Sequence, residues 1–216
     1  MSDPVALELR EQFATPEQQQ ETASIGMWIF LATEVMMFGG LFTAYTVYRT
    51  SHPQAFAEGS AGMDIVLGSI NSAILLTSSL TMAFAEYFGK LGRTRLMGFL
   101  LLATVLIGLA FLGIKCTEYV EHYNEHKAPG VWFNDSSFHA GQVQMFFVFY
   151  FIMTALHAIH MTIGIGILLG LMFRNFIGSF SAVYSTPIRI AGLYWHFVDI
   201  IWIFLYAIFY LPGLHR

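Results

Sequence analysis

AGQVQMFFVFYFIMTALHAIHMTIGIGILLGLMF fills residues 140–173 without one Asp, Glu, Lys or Arg. A helix needs about 20 mainly apolar residues to cross a hydrocarbon layer ~30 Å thick. This stretch is long enough for a tilted span with an interfacial turn. Working outward, residues 190–214 carry only Asp199 as a charge, residues 96–114 and 65–85 carry none, and residues 25–48 carry only Glu34. The chain therefore reads as all-α, an integral membrane bundle of five transmembrane helices, with spans at about 25–48, 65–88, 96–119, 142–173 and 190–212. Helices are required because backbone facing lipid must satisfy its own hydrogen bonds.

Composition agrees. Of 216 residues, 56% are hydrophobic and 11% charged, against about 25% charged in soluble domains. So few charges cannot clothe a water-facing surface. The net charge of −4 leaves no basic footprint for nucleic acid. Residues 1–24 hold Asp3, Glu8, Glu11, Glu17 and Glu21 against Arg10. With no basic segment before an apolar run, they read as a polar N-terminal arm, partly helical or disordered, outside the bilayer rather than a signal peptide. Residues 25–216 form one five-helix domain. The longest connection, 115–139, carries Glu118, Glu121, His122, Glu125, His126, Pro129, Gly130 and Trp132 and reads as polar loop.

Direction follows from flanking basic residues. Arg10, Lys90, Arg93, Arg95, Arg174 and Arg189 collect on one side, and Arg49, Lys115, Lys127 and Arg216 on the other. This places the N-terminus in the cytoplasm and the C-terminus outside.

Ionisable groups within spans are costly, and so they mark the informative positions. Glu34 lies roughly 13 Å beyond residue 25 at ~1.5 Å per residue. Such a carboxyl must be protonated, paired or hydrogen-bonded. Its own span offers no basic partner, so the proton is expected to stay on. It is either a proton-linked carboxyl or a neutral acid bonded between helices. His157 and His160 share a face of span four, and His196 and Asp199 repeat that spacing in span five. Two stacked haems would need histidines several turns apart on two helices, which are absent. A di-iron bundle would need paired Glu-x-x-His motifs, also absent. Copper or zinc on His157 and His160 would lack an evident third ligand. Interhelical hydrogen bonding is the reading for each pair, with a local contact between His196 and Asp199. Asn71, Ser72, Thr77, Ser78, Ser79 and Thr81 suit bonds between helices or the lining of a polar pathway. Gly166 and Gly170 form a small-xxx-small pattern for close helix approach. Cys116, the single cysteine, reads as a buried structural thiol. Tyr45, Tyr48, Tyr119, Tyr123, Trp132, Tyr194, Trp195 and Tyr210 read as an interfacial belt.

Five segments carry a family resemblance: GMWIFLATEVMMF (26–38), INSAILLTSS (70–79), GIKCTEY (113–119), FIMTALHAIHM (151–161) and YWHFVDIIWIF (194–204). In series they resemble subunit III of haem-copper terminal oxidases, in a short five-helix bacterial form. The resemblance implies a non-catalytic subunit of a proton-pumping oxidase of the cytochrome c type in aerobic respiration. Haem and copper would reside in partner subunits and none in this chain. It implies packing on catalytic subunit I beside other oxidase subunits, bound phospholipid, support of proton uptake, and membership of a respiratory supercomplex in a bacterial plasma membrane. Glu34 and Glu118 fall on the family's intramembrane acidic positions. Longer members carry two further helices ahead of the segment at residue 25, which implies a lipid cleft that is open here or completed by another subunit. Ala155 stands where the family usually has Gly, widening one helix contact. A quinol oxidase subunit III and a nitric oxide reductase-associated homologue are alternatives within the fold. A free-standing proton-coupled transporter is the alternative outside it, disfavoured by the lack of inverted repeats.

Overall fold

A computed structural model describes residues 12–130, 133, 140–177 and 186–215. Its helices are α1 (Pro16–Ser51), α2 (Pro53–Ala61), α3 (Ile65–Lys90), α4 (Thr94–Asn124), α5 (Ala140–Phe176) and α6 (Thr186–Phe209), followed by a 3-10 turn at Leu211–His215. The five long helices are each long and apolar enough to cross a membrane. No strand occurs among the described residues.

The helix boundaries have local causes. Thr15 caps α1, accepting from the Gln18 amide at 3.2 Å, with Pro16 in the first turn where a missing N–H costs nothing. Pro53 separates α1 from α2, because a proline drives the residue before it out of the helical region, and His52 sits at φ −133°, ψ 59°. The Asp64 carboxylate accepts from the Val66 and Leu67 amides at 2.8 and 3.0 Å and starts α3. That helix closes on Gly92 at φ +68°, a left-handed position a side chain would strain.

Helices α3, α4, α5 and α6 pack around one core, each against its neighbours, while α1 lies outside on α5 and α6. Helix α2 and the C-terminal turn close one end, where Tyr45, Phe56, Phe146, Phe149, Tyr150 and Phe209 stack mostly edge to face at 5.2–6.5 Å. Gly59 is required there, since a β-carbon would stand 2.5 Å from Phe146.

Helix α1 starts at Pro16, so the later part of the polar arm takes the helical of its two expected forms and is continuous with the first span. Several expectations change. Helix α4 runs to Asn124, past the expected span end near 119, which puts Glu121 and His122 on a helix rather than in a loop. Helix α2 carries no long apolar run, so nothing in the hydropathy pattern predicts it. Tyr45, Tyr194, Trp195 and Tyr210 are core residues rather than a belt, whereas Tyr48 and Tyr123 are exposed. Cys116 is exposed, pointing off α4 away from the bundle. Gly166 and Gly170 face outward, where an added β-carbon would meet nothing within 4 Å, so close approach falls to Gly108 and Gly164, both against Trp195. Arg10, Trp132 and Arg216 lie outside the described residues.

Candidate functional site: intramembrane carboxyls and their partners

Two carboxyls define the polar interior. Glu34 projects from α1 to α5, where its Oε2 lies 2.9 Å from His160 Nε2. The other ring nitrogen, His160 Nδ1, is 2.8 Å from the Leu156 carbonyl. A carbonyl only accepts, so Nδ1 must carry hydrogen. Nε2 and a carboxylate oxygen could then meet only as two acceptors, unless one further proton is present. The geometry therefore fixes one proton between Glu34 and His160, as an acid donating to imidazole or as imidazolium facing carboxylate. Glu34 is thus bonded between helices, its partner lying on α5 where its own span offers none. The carbonyl of His160 also accepts from Tyr194 OH at 2.9 Å, joining α5 to α6.

Glu118 sits deeper, in a network that the sequence does not announce. Lys115, one turn earlier on α4, places its Nζ 2.9 Å from Glu118 Oε2, and both side chains are almost wholly removed from solvent (5% and 3% exposed). The ammonium also donates to Tyr150 OH and Tyr210 OH, each at 2.9 Å. Both phenols donate onward to Glu118 Oε1. Three donors of one ammonium thus meet three acceptors, and the carboxylate receives three hydrogen bonds. The rings of Tyr150 and Trp202 lie 4.9 and 5.1 Å from Nζ, adding cation–π attraction. Residues from α4, α5 and the end of α6 are tied together, and a buried ion pair is tolerated because it is saturated with hydrogen bonds. Lys115 is therefore an interior residue rather than the flanking charge that its place at a span end suggests. Its i, i+3 spacing to Glu118 is the available signal.

The other singled-out residues scatter. His157 is buried between Phe111 and Trp202, with ring centroids at 5.6 and 5.3 Å, and neither ring nitrogen has a hydrogen-bond partner. Its expected interhelical bond is therefore replaced by ring packing. His196 bonds Ser79 across the α3–α6 contact, Nδ1 to Oγ 2.7 Å, and not Asp199. Neither carboxyl oxygen of Asp199 has a hydrogen-bond partner. Ser78 accepts from the Trp195 indole at 3.1 Å, and Ser72 from Trp202 at 3.1 Å, so the hydroxyls of span two do join helices. Asn71 is fully buried with its amide unpartnered. At the loop that follows α4, Lys127 bonds Glu125 at 2.6 Å and holds its carboxyl below the usual range. Among the described residues, no three His, Cys, Asp or Glu side chains converge as a metal site would require.

Comparison with known proteins shows similarity along nearly the whole chain. The chain matches the family described as Cytochrome c oxidase subunit III over residues 13–214. It is 31% identical over 188 residues to the cytochrome c oxidase subunit 3 of Thermostichus vulcanus, covering 87% of this chain and 86% of that one. It is 31% identical over 192 residues to the protein of that name from Bacillus sp. (strain PS3), covering 88% and 86%. Identity is 29% over 204 residues to the quinol oxidase subunit 3 of Bacillus spizizenii, covering 93% and 94%. With five helices of spanning length and a match along nearly all of them, the chain belongs to the subunit III family of haem-copper oxidases.

Proposed function

We propose that this chain is the haem- and copper-free subunit of a proton-pumping oxidase, set against catalytic subunit I in a bacterial plasma membrane with its N-terminus in the cytoplasm. The observation that carries the reading is the end-to-end match to oxidase subunits 3. The polar interior supports it: Glu118 and Lys115 saturate one another, Glu34 and His160 share a proton, and neither pair is open to a substrate. The chain's part is to hold its shape beside the redox subunits and to sustain their proton uptake. Glu34, Glu118, His157, His160, His196 and Asp199 serve that architecture. A cleft of about 480 Å³ between the start of α1 and α5–α6, lined by Met27, Ile167, Leu171 and Ile190 with Gln19 and Gln20 at its rim, suits a phospholipid chain. Chemistry at haem and copper is supplied by other subunits.

An affinity tag on the chain tests this. Purification from native membranes should bring down a haem-absorbing complex that consumes oxygen, and purification without haem would refute the reading. Reduced cytochrome c is the expected donor. Because relatives of nearly equal similarity are quinol oxidases, the same preparation should be assayed with quinol, and oxidation of quinol alone reassigns the donor.

A further inference from the structure

Helix α4 stops on a residue that resists the required conformation. The amides of His126 and Lys127 return to the carbonyls of Tyr123 and His122 at 3.1 and 3.0 Å, the paired bonds of a helix stop that ordinarily uses glycine. Here His126 occupies the left-handed position at φ +58°, which strains a residue that carries a β-carbon. His122, in the same last turn, is buried against the rings of Phe147, Tyr150 and Phe151, with centroids at 5.7, 5.5 and 6.4 Å. Neither of its ring nitrogens is hydrogen-bonded. Each stands 4.0 Å from a carboxylate oxygen: Nε2 from Oε1 of Glu118, one turn back, and Nδ1 from Oε2 of Glu125, one turn on. A neutral imidazole therefore buries an N–H and a lone pair without partners, which costs free energy. An imidazolium makes both nitrogens donors, each facing an acceptor, and the unpaired carbonyls at a helix C-terminus favour the cation further. Burial opposes it, as do the ammonium groups of Lys115 and Lys127, but each of those is already paired with one of the two carboxylates. The phenols of Tyr150, from α5, and Tyr210, beyond α6, meet the ring's side of the network by donating to Glu118 Oε1. Lys127 holds the Glu125 carboxyl below the usual range, so this acceptor stays ionised while an imidazole takes up its proton.

We propose that His122 is a proton-binding site that works as an acid-set latch on the end of α4. With the imidazole neutral, the strained helix stop is held by its backbone bonds and by Lys127 on Glu125. With a proton bound, Glu125 is drawn in by about 1 Å, from 4.0 Å to hydrogen-bond distance. The last turn is then fastened through His122 to the buried Glu118 network. Lys127 reaches the end of α2, where its Nζ lies 3.6 Å from the place of a β-carbon on Gly62. The latch therefore also sets how firmly the start of the α4–α5 connection is seated on α2. The proton comes from solvent, which reaches the half-exposed Glu125 carboxylate, and no other group changes charge. The latch does not depend on the redox role of the complex.

Amide hydrogen exchange of the purified complex tests it, read by mass spectrometry between about pH 8 and about pH 5 and corrected for the intrinsic pH dependence of exchange. Peptides that carry the amides of Glu125, His126 and Lys127 should be roughly fivefold better protected at the acid end, the most that a partly exposed ion pair supplies. His122→Phe keeps a ring among Phe147, Tyr150 and Phe151 and should make that protection independent of pH. Glu125→Gln, outside the buried core, keeps the acceptor's shape without its charge and should flatten the profile as well; it carries the test alone if His122→Phe does not assemble. Protection that fails to rise in the wild type, or that rises as in the wild type in either variant, overturns the proposal.

Discussion

Replacing Lys115 with Met keeps an unbranched stem among Tyr150, Trp202 and Tyr210 but removes the ammonium. Glu118 is then left with two phenol donors in place of three partners, at 3% exposure. At 2.9 Å and an effective dielectric of about 20, the gross attraction lost is about 6 kcal/mol. Desolvation of both ions offsets part of it, and removing one member of a buried pair costs about 3–5 kcal/mol. A chain of this length shifts about 2–4 °C per kcal/mol, so roughly 6–20 °C is expected. The assay heats the solubilised complex and follows the fraction of this chain that remains soluble. Glu118→Gln should cost a similar amount, while the double variant, which buries no net charge, should recover most of either loss. A single Lys115→Met variant within about 2 °C of wild type, or a double variant whose loss is the sum of the two, refutes the claim that the pair acts as a unit.

At the Glu34–His160 contact, Glu34→Gln can still donate to Nε2 and should leave assembly and initial turnover nearly intact, whereas Glu34→Ala should weaken retention of α1 in the complex. A Gly164→Ala change brings a β-carbon to 3.1 Å from Trp195 and should destabilise by about 1–3 kcal/mol; Gly166→Ala meets nothing and should be neutral to about 1 kcal/mol stabilising through helix propensity, both read by the same heating assay. Reporters fused at Arg93 and at the C-terminus should lie on opposite sides of the membrane, and a shared side excludes five spans. Glu125 is held low by Lys127, so the pair's small contribution is present above the ordinary carboxylate value and lost as pH falls through the depressed one; Lys127→Gln should remove that contribution, lowering stability slightly at neutral pH and leaving it unchanged at the acid end of the profile.

The spans are legible because lipid imposes one rule along the whole of each helix: an uncharged run such as 140–173 admits few other readings. The ends are less so. Where α4 stops depends on whether Lys115 finds partners, and those partners, Tyr150 and Tyr210, come from elements 35 and 95 residues away. Local pattern contains no trace of them. The same limit explains Glu34, whose partner lies 126 residues on. Periodicity places His157 and His160 on one face, but which ring meets a carboxyl and which packs on an indole is decided by the neighbour. Outward Gly166 and buried Gly164 differ by half a turn, which a small-xxx-small pattern does not resolve.

Helix α1 has a consequence for biogenesis. It is fastened to the bundle by Ser24 to Arg189, Glu34 to His160, and Tyr45 to the Ile208 carbonyl. Every one of those partners is translated after more than a hundred further residues. The first span therefore enters the bilayer with Glu34 unmatched, at a translocation penalty that its flanking Phe, Leu, Ile and Met residues must outweigh. It then waits in lipid as a separate rod until α5 and α6 have emerged. Its docking is a late, lateral event between inserted helices, driven by three polar fasteners spread along its length.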